Sequence, residues 1–198
     1  MNTPFACILG LDGSGKTTAI ANACALNAAI RPISWHDHSY LVRALPSFRA
    51  GEPLGYAVHQ ADMPVRTKLV QQLIELELDD IAACGDDQIP LVDSYWYRFA
   101  AKARSMPFLS ADFETWCRNL PKPRICFFID TPVHICLKRK PPSHPYEMGP
   151  SSDGPDRFYD SVHSHLLTFV QQPLLILDGT KNESDIAVQI VKMLKEVF

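Results

Sequence analysis

The chain has no CxxC pair, no long run of basic residues, no internal repeat and no apolar stretch long enough to span a membrane. Each absence removes a class of protein. Without paired spacings, the six cysteines (Cys7, Cys24, Cys84, Cys117, Cys126 and Cys136) read as small buried hydrophobes in a reducing compartment. They do not read as a disulfide or zinc framework. A net charge of −3 with no long basic run gives no broad electrostatic footprint for duplex nucleic acid. A polynucleotide partner is therefore disfavoured, although a local basic groove stays open. The lack of a membrane-length apolar run argues against a membrane partner, and the lack of a basic stretch at the N-terminus argues against a secretion signal. A cytoplasmic location is the expectation.

What is present is ordinary in bulk and specific in places. At 198 residues, 46% hydrophobic and 21% charged, the chain suits one globular domain, 1–198, with a proper core. Four apolar runs look like buried parallel strands: Phe5–Leu9, Ile89–Val92, Arg124–Ile129 and Pro173–Leu177, with Pro32–His36 a weaker fifth. None alternates cleanly, as expected when helices cover both faces of a sheet. Between them lie helical stretches: Ala-rich 17–30, then Val65, Leu69, Leu73, Ile74, Leu76 and Ile81 at helical spacing. The last carries Ile186, Ile190, Leu194 and Val197 on one stripe, with Thr180 and Glu183 as a capping box. Alternating strands and helices predict a doubly wound α/β fold of about five parallel strands, with ligands beyond the carboxyl ends of the strands.

Directly after the first run, residues 10 to 17 read Gly-Leu-Asp-Gly-Ser-Gly-Lys-Thr, a complete GxxxxGK[ST] phosphate-binding loop. Strand before and helix after are the context that motif requires. Gly13, Ser14, Gly15 and Thr18 would offer backbone N–H groups to a polyphosphate, aided by the helix dipole. Lys16 would reach the β- and γ-phosphates, and the Thr17 hydroxyl would take one place on Mg²⁺. Asp93, closing the third strand, suits the opposite side of that Mg²⁺; a helix-capping role competes with this. In Ser94-Tyr95-Trp96-Tyr97-Arg98 the rings could stack on a base or pack the core, and Arg98 could bind a phosphate. Asp12, a carboxylate inside the loop, would be repelled by polyphosphate unless it faces an acceptor hydroxyl. Trp35-His36-Asp37-His38 invites a metal reading, but neighbours on an extended chain point apart. A substrate-facing contact at Trp35 fits better. The segment 140–155 is rich in Pro, Gly and Ser, and with the cations Lys138, Arg139, Lys140 and Arg157 at its base it reads as a lid spanning about 138–157.

In order along the chain, these segments resemble the thymidylate kinase family of P-loop nucleoside monophosphate kinases. The matching pieces are Leu11 to Thr18, the strand ending in Asp93, Phe127-Phe128-Ile129-Asp130-Thr131-Pro132, and the helix to Arg139 with its lid. Phe158 and Leu175-Ile176-Leu177-Asp178-Gly179 complete them. The resemblance implies a P-loop kinase fold, ATP and Mg²⁺ as cofactors, and a homodimer. It implies further that Asp12 contacts the acceptor sugar, that Arg139 or a neighbouring cation closes over the transferred group, that Arg66 faces a pyrimidine base, and that Asp178 and Gly179 border adenine. The chain departs from the family where an Arg-Glu-Pro-Gly-Gly segment would follow the second strand, where Ser94 replaces an arginine, and at Leu9, where a glutamate is usual. These departures fall in the acceptor pocket. The small-molecule acceptor implied is a nucleotide, with deoxythymidylate leading. A modified pyrimidine nucleotide, a nucleoside or a modified base in DNA is the alternative. A nucleotide-dependent switch is a third reading, but the chain has no obvious switch glutamine and no Asn-Lys-x-Asp.

Overall fold

The computed structural model describes residues 3–142, 144, 147, 149 and 154–198. Five strands form one parallel sheet: β1 (Ala6–Leu9), β2 (Ile30–Ile33), β3 (Ile89–Asp93), β4 (Ile125–Asp130) and β5 (Leu174–Asp178), in the order β2-β3-β1-β4-β5. The central strands β1, β3 and β4 are apolar up to their carboxyl ends because both faces are covered, whereas the edge strands β2 and β5 are partly exposed. Ala6, Ile8, Leu91, Phe127 and Ile129 pack beneath α1 (Lys16–Leu26) and the C-terminal helix α9 (Glu183–Val197). Cys7, Leu9, Val92, Cys126 and Phe128 face the other layer. That layer holds α2 (Ser39–Arg43), α3 (Leu54–Gln60), α4 (Met63–Ala82), α5 (Tyr95–Ser105), α6 (Phe113–Arg118), α7 (Val133–Arg139) and α8 (Gly154–Phe169). The order places β3 and β4 on either side of β1, so successive connections leave β1 toward opposite edges and open a crevice at its carboxyl end.

Three local expectations are corrected. The helix predicted for 17–30 ends at Leu26: the Asn27 side chain accepts from the Ala29 N–H at 3.2 Å, and Ile30 is drawn into register with Ile89. The second strand accordingly lies earlier than predicted, and Trp35–His38 is a 3₁₀ turn. Its cause is a capping box in which the Ser34 hydroxyl and the Asp37 carboxylate each accept a backbone N–H of the turn. The last helix is capped by Asn182, which accepts from the Ser184 N–H at 2.8 Å. Thr180 instead binds Asp178, through both its N–H and its hydroxyl.

Candidate active site

The chain leaves β1 through a loop that needs glycine. Gly13 and Gly15 have φ of 83° and 98°, the left-handed region. At Gly13 a Cβ would also lie 2.4 Å from the carbonyl oxygen of Cys136 on α7, so the loop and that helix are in backbone contact. From the far side, the Thr131 hydroxyl donates to the Ser14 carbonyl at 3.1 Å. Helix α1 begins at Lys16 with no side-chain cap and no acid in its first turn, which leaves its first N–H groups and the positive dipole end available to an anion. Lys16 curls back over the loop, donating to the carbonyls of Gly10 and Leu11 at 2.9 and 2.8 Å. Burial lowers its ammonium pKa, against the pull of Asp93 and Asp12.

This loop opens onto a cleft of about 750 Å³. Its walls include Asp12, Gly13, Gly15, Lys16, Thr17, Thr18, Trp35, Asp93, Arg98 and Arg139. Most residues singled out from the sequence therefore converge on one space. Ser14 is the exception within the loop, buried beneath it with its carbonyl taken by Thr131. Trp35 reaches the cleft from its 3₁₀ turn, stacked on His36 with ring centroids 3.9 Å apart. Asp93 accepts from the Ser94 hydroxyl at 2.7 Å. Ser94 and Tyr95 have φ of 70° and 44°, so the junction from β3 into α5 is strained. This turn swings Ser94 into the interior and leaves Arg98, one helical turn on, facing the cleft.

Asp12 is the electrostatic hinge of the site. Arg98 Nη1 lies 3.9 Å from Oδ1 and Lys102 Nζ lies 3.3 Å from Oδ2. Burial by itself would raise the carboxyl, but Arg98, Lys102, Lys16 and Lys140 together hold it well below the usual carboxylate range. Lys102 went unnoticed in the sequence, although its i,i+4 spacing from Arg98 puts both on one helix face. Glu77 was missed as well. It is fully buried on α4, and burial, then the charge of Asp93, pushes its carboxyl well above the ordinary value.

Two candidates do not reach the cleft. Arg66 is buried on α4, where its guanidinium donates to the His59 carbonyl and sits 4.9 Å over the Phe108 ring. Tyr95 points into the core, edge-on to Phe5 at 5.4 Å, with its hydroxyl donating to the Pro121 carbonyl at 3.2 Å. Trp96 and Tyr97 stack on each other at 4.2 Å and are buried too, so this aromatic run is core packing.

Of the segment 138–157, residues 143, 145, 146, 148 and 150–153 lie outside the described residues. Among those described, Arg139 donates to the Gly179 carbonyl at 3.2 Å, and Lys140 pairs with the buried Glu147 at 3.0 Å. All three side chains border the cleft. His144 stacks on Tyr56 of α3, with ring centroids 4.5 Å apart. No group of three or more His, Cys, Asp or Glu able to hold a metal exists among the described residues. The available oxygen donors, Thr17 and Asp93, fit an ion such as Mg²⁺ that completes its shell with water and phosphate.

No family model matches the sequence, and no curated protein matches it. Solved structures do. Deoxyadenosine kinase from M. mycoides, in a structure with dCMP and a flexible dCDP bound, superposes with a TM-score of 0.62 at 11% identity, covering 98% of this chain and 99% of that one. Thymidylate kinase from Candida albicans superposes with a TM-score of 0.68 at 16% identity, covering 98% and 91%. The fold is that of nucleotide kinases. The five-stranded parallel sheet flanked by helices, read from the sequence, is the architecture these enzymes share with the chain. Among the described residues no helix is long and apolar enough to cross a membrane.

Proposed function

We propose that this chain transfers the γ-phosphoryl group of ATP to a small nucleotide acceptor, with deoxythymidylate or a related pyrimidine nucleotide as the leading acceptor. The observation that carries the reading is the single cleft shared by the phosphate loop, the β3 carboxylate and the cations of α5 and α7. The fold neighbours, whose names are those of a deoxynucleoside kinase and a thymidylate kinase, support it.

In this reading the amides of Gly13 to Thr18 cradle the triphosphate, and Lys16 exchanges its two loop carbonyls for phosphate oxygens. Thr17 and Asp93 hold Mg²⁺, which when bound offsets phosphate charge. Asp12 orients the acceptor hydroxyl from the loop side, and Arg98 takes the acceptor's own phosphate. Trp35 offers a ring to its base. Arg139, at the base of a lid formed by about 138–157, neutralises the migrating group, and the lid excludes water.

One structural fact bears on the acceptor. Ser94 is buried, left-handed and hydrogen-bonded to Asp93, so no phosphate-binding side chain projects from that position. Arg98 is the cation that α5 supplies to the cleft, so in this reading the acceptor's phosphate is met one helical turn further along α5. The test is a panel of nucleosides, pyrimidine and purine monophosphates, modified pyrimidine nucleotides and oligonucleotides carrying modified bases, incubated with γ-labelled ATP. Transfer to a monophosphate, weakened by Arg98→Ala through acceptor KM, supports the reading. Transfer only to nucleosides or to oligonucleotides would replace it.

A further inference from the structure

Lys102 is a buried charged side chain that is not among the walls of the cleft. It is 5% exposed and borders two small cavities of about 10 Å³ each, one beneath the phosphate loop and one beside Trp35 and Phe108. It does not border the cleft, whereas Asp12 and Arg98 border the cleft and a rear cavity alike. The Asp12 carboxylate is thus gripped at one oxygen from behind, by Lys102 at 3.3 Å, and approached at the other by Arg98 at 3.9 Å from the cleft side. A buried ammonium is costly unless it is paired, and a core helix position one turn from Arg98 would be filled as well by an apolar residue.

We propose that Lys102 is a positioning residue for phosphoryl transfer, fixing the Asp12 carboxylate from the rear so that its other oxygen is presented to the acceptor. The inference rests on the reading of Asp12 as the acceptor contact. Arg98 can then let go of Asp12 to bind an acceptor phosphate without freeing the carboxylate to turn toward Lys16 or the bound triphosphate. The proton on Lys102 becomes part of the active state. Burial lowers its pKa to about 8, with Asp12 pulling it back up and Arg98 and Lys140 pushing it down. Among the described residues, His59 on α3 and Tyr159 on α8 are further titratable groups near it, the latter on the wall of the shared rear cavity. Rising pH therefore unlocks Asp12 as Lys102 loses its proton.

The experiment has two readouts on the full chain. The first titrates Lys102 by NMR of ¹³C-labelled lysine ε-carbons, assigned by the signal lost in Lys102→Arg. A midpoint near 8 that falls in Asp12→Asn is expected, because the carboxylate that favours the charged form is gone. The second is the pH profile of transfer. The wild type loses kcat with the Lys102 midpoint, and Lys102→Arg retains transfer without that alkaline limb. Lys102→Met, or Lys102→Gln should the former fail to fold, loses about 10- to 100-fold in kcat with KM for ATP unchanged. A midpoint indifferent to Asp12→Asn overturns the proposal. So does a Lys102→Met enzyme with wild-type kcat and profile. A wild type that transfers to no nucleotide overturns the kinase reading and this role with it. The midpoint, read without turnover, tells that failure from a broken Asp12–Lys102 pair.

Discussion

Lys16 and Glu77 show how differently two buried charges can be used. Lys16 is held by two loop carbonyls, which in the proposed function phosphate oxygens replace. Lys16→Ala is expected to lower kcat by on the order of 10²- to 10³-fold or more in a transfer assay, with the fold intact by circular dichroism. At Glu77, burial and the charge of Asp93 outweigh the backbone hydrogen bond from Trp35, and the raised pKa means that the folded state prefers the neutral acid. The sign follows from proton binding. Below the ordinary glutamate value the folded and unfolded states are equally protonated. As pH rises past it, the unfolded chain releases a proton that the folded chain keeps, and stability falls. Glu77→Gln is therefore expected to stabilise the protein at pH 8 by about 1 kcal/mol or more, a gain that disappears as pH falls to about 4. Urea melts of both proteins across that range check it, and a pH-independent difference would contradict it. Residue identity made Lys16, Thr17 and Asp93 legible, because a motif and a strand end fix their surroundings. Lys102 and Glu77 matter through partners remote in sequence, and only the packing of α4 and α5 against the sheet reveals them.

Elements were legible where the pattern is local. Continuous apolar runs gave the strands, since a doubly covered sheet needs both faces apolar. What escaped was decided by turn chemistry: the Asn27 turn that ends α1, the Ser34–Asp37 box that makes a 3₁₀ turn, and the left-handed pair Ser94–Tyr95. That last turn directs Tyr95 inward and Arg98 outward, which is why an aromatic run at the mouth of the sheet is core. The loop and α7 form a unit through the Gly13–Cys136 backbone contact. Gly13→Ala must strain φ and displace α7, so a loss of about 1–3 kcal/mol is expected in urea melts. Nucleotide affinity should fall with it, because the loop can no longer close on phosphate. Ala tolerated with unchanged stability would mean the contact is not tight.

At the scale of the molecule, the parallel order β2-β3-β1-β4-β5 brings the ends of β1 and β3 and the C-terminal end of α7 to one cleft. The proposed function seats donor phosphates and acceptor in one space, the cleft lined by Asp12, Lys16, Asp93, Arg98 and Arg139. A ligand bound there bridges elements on both sides of the cleft, so MgATP at 100 times its Kd should stabilise the fold by about 2.7 kcal/mol. A rise in Tm that saturates with ATP, and that Lys16→Ala loses, is the expected scan. The central claim is transfer to a nucleotide, and the fate of the label tests it most directly. The purified chain is mixed with γ-³²P-labelled ATP, Mg²⁺ and a pool of nucleoside monophosphates, and the products are resolved. The account predicts label in a nucleoside diphosphate, absent with Lys16→Ala. Label appearing only in orthophosphate would contradict it.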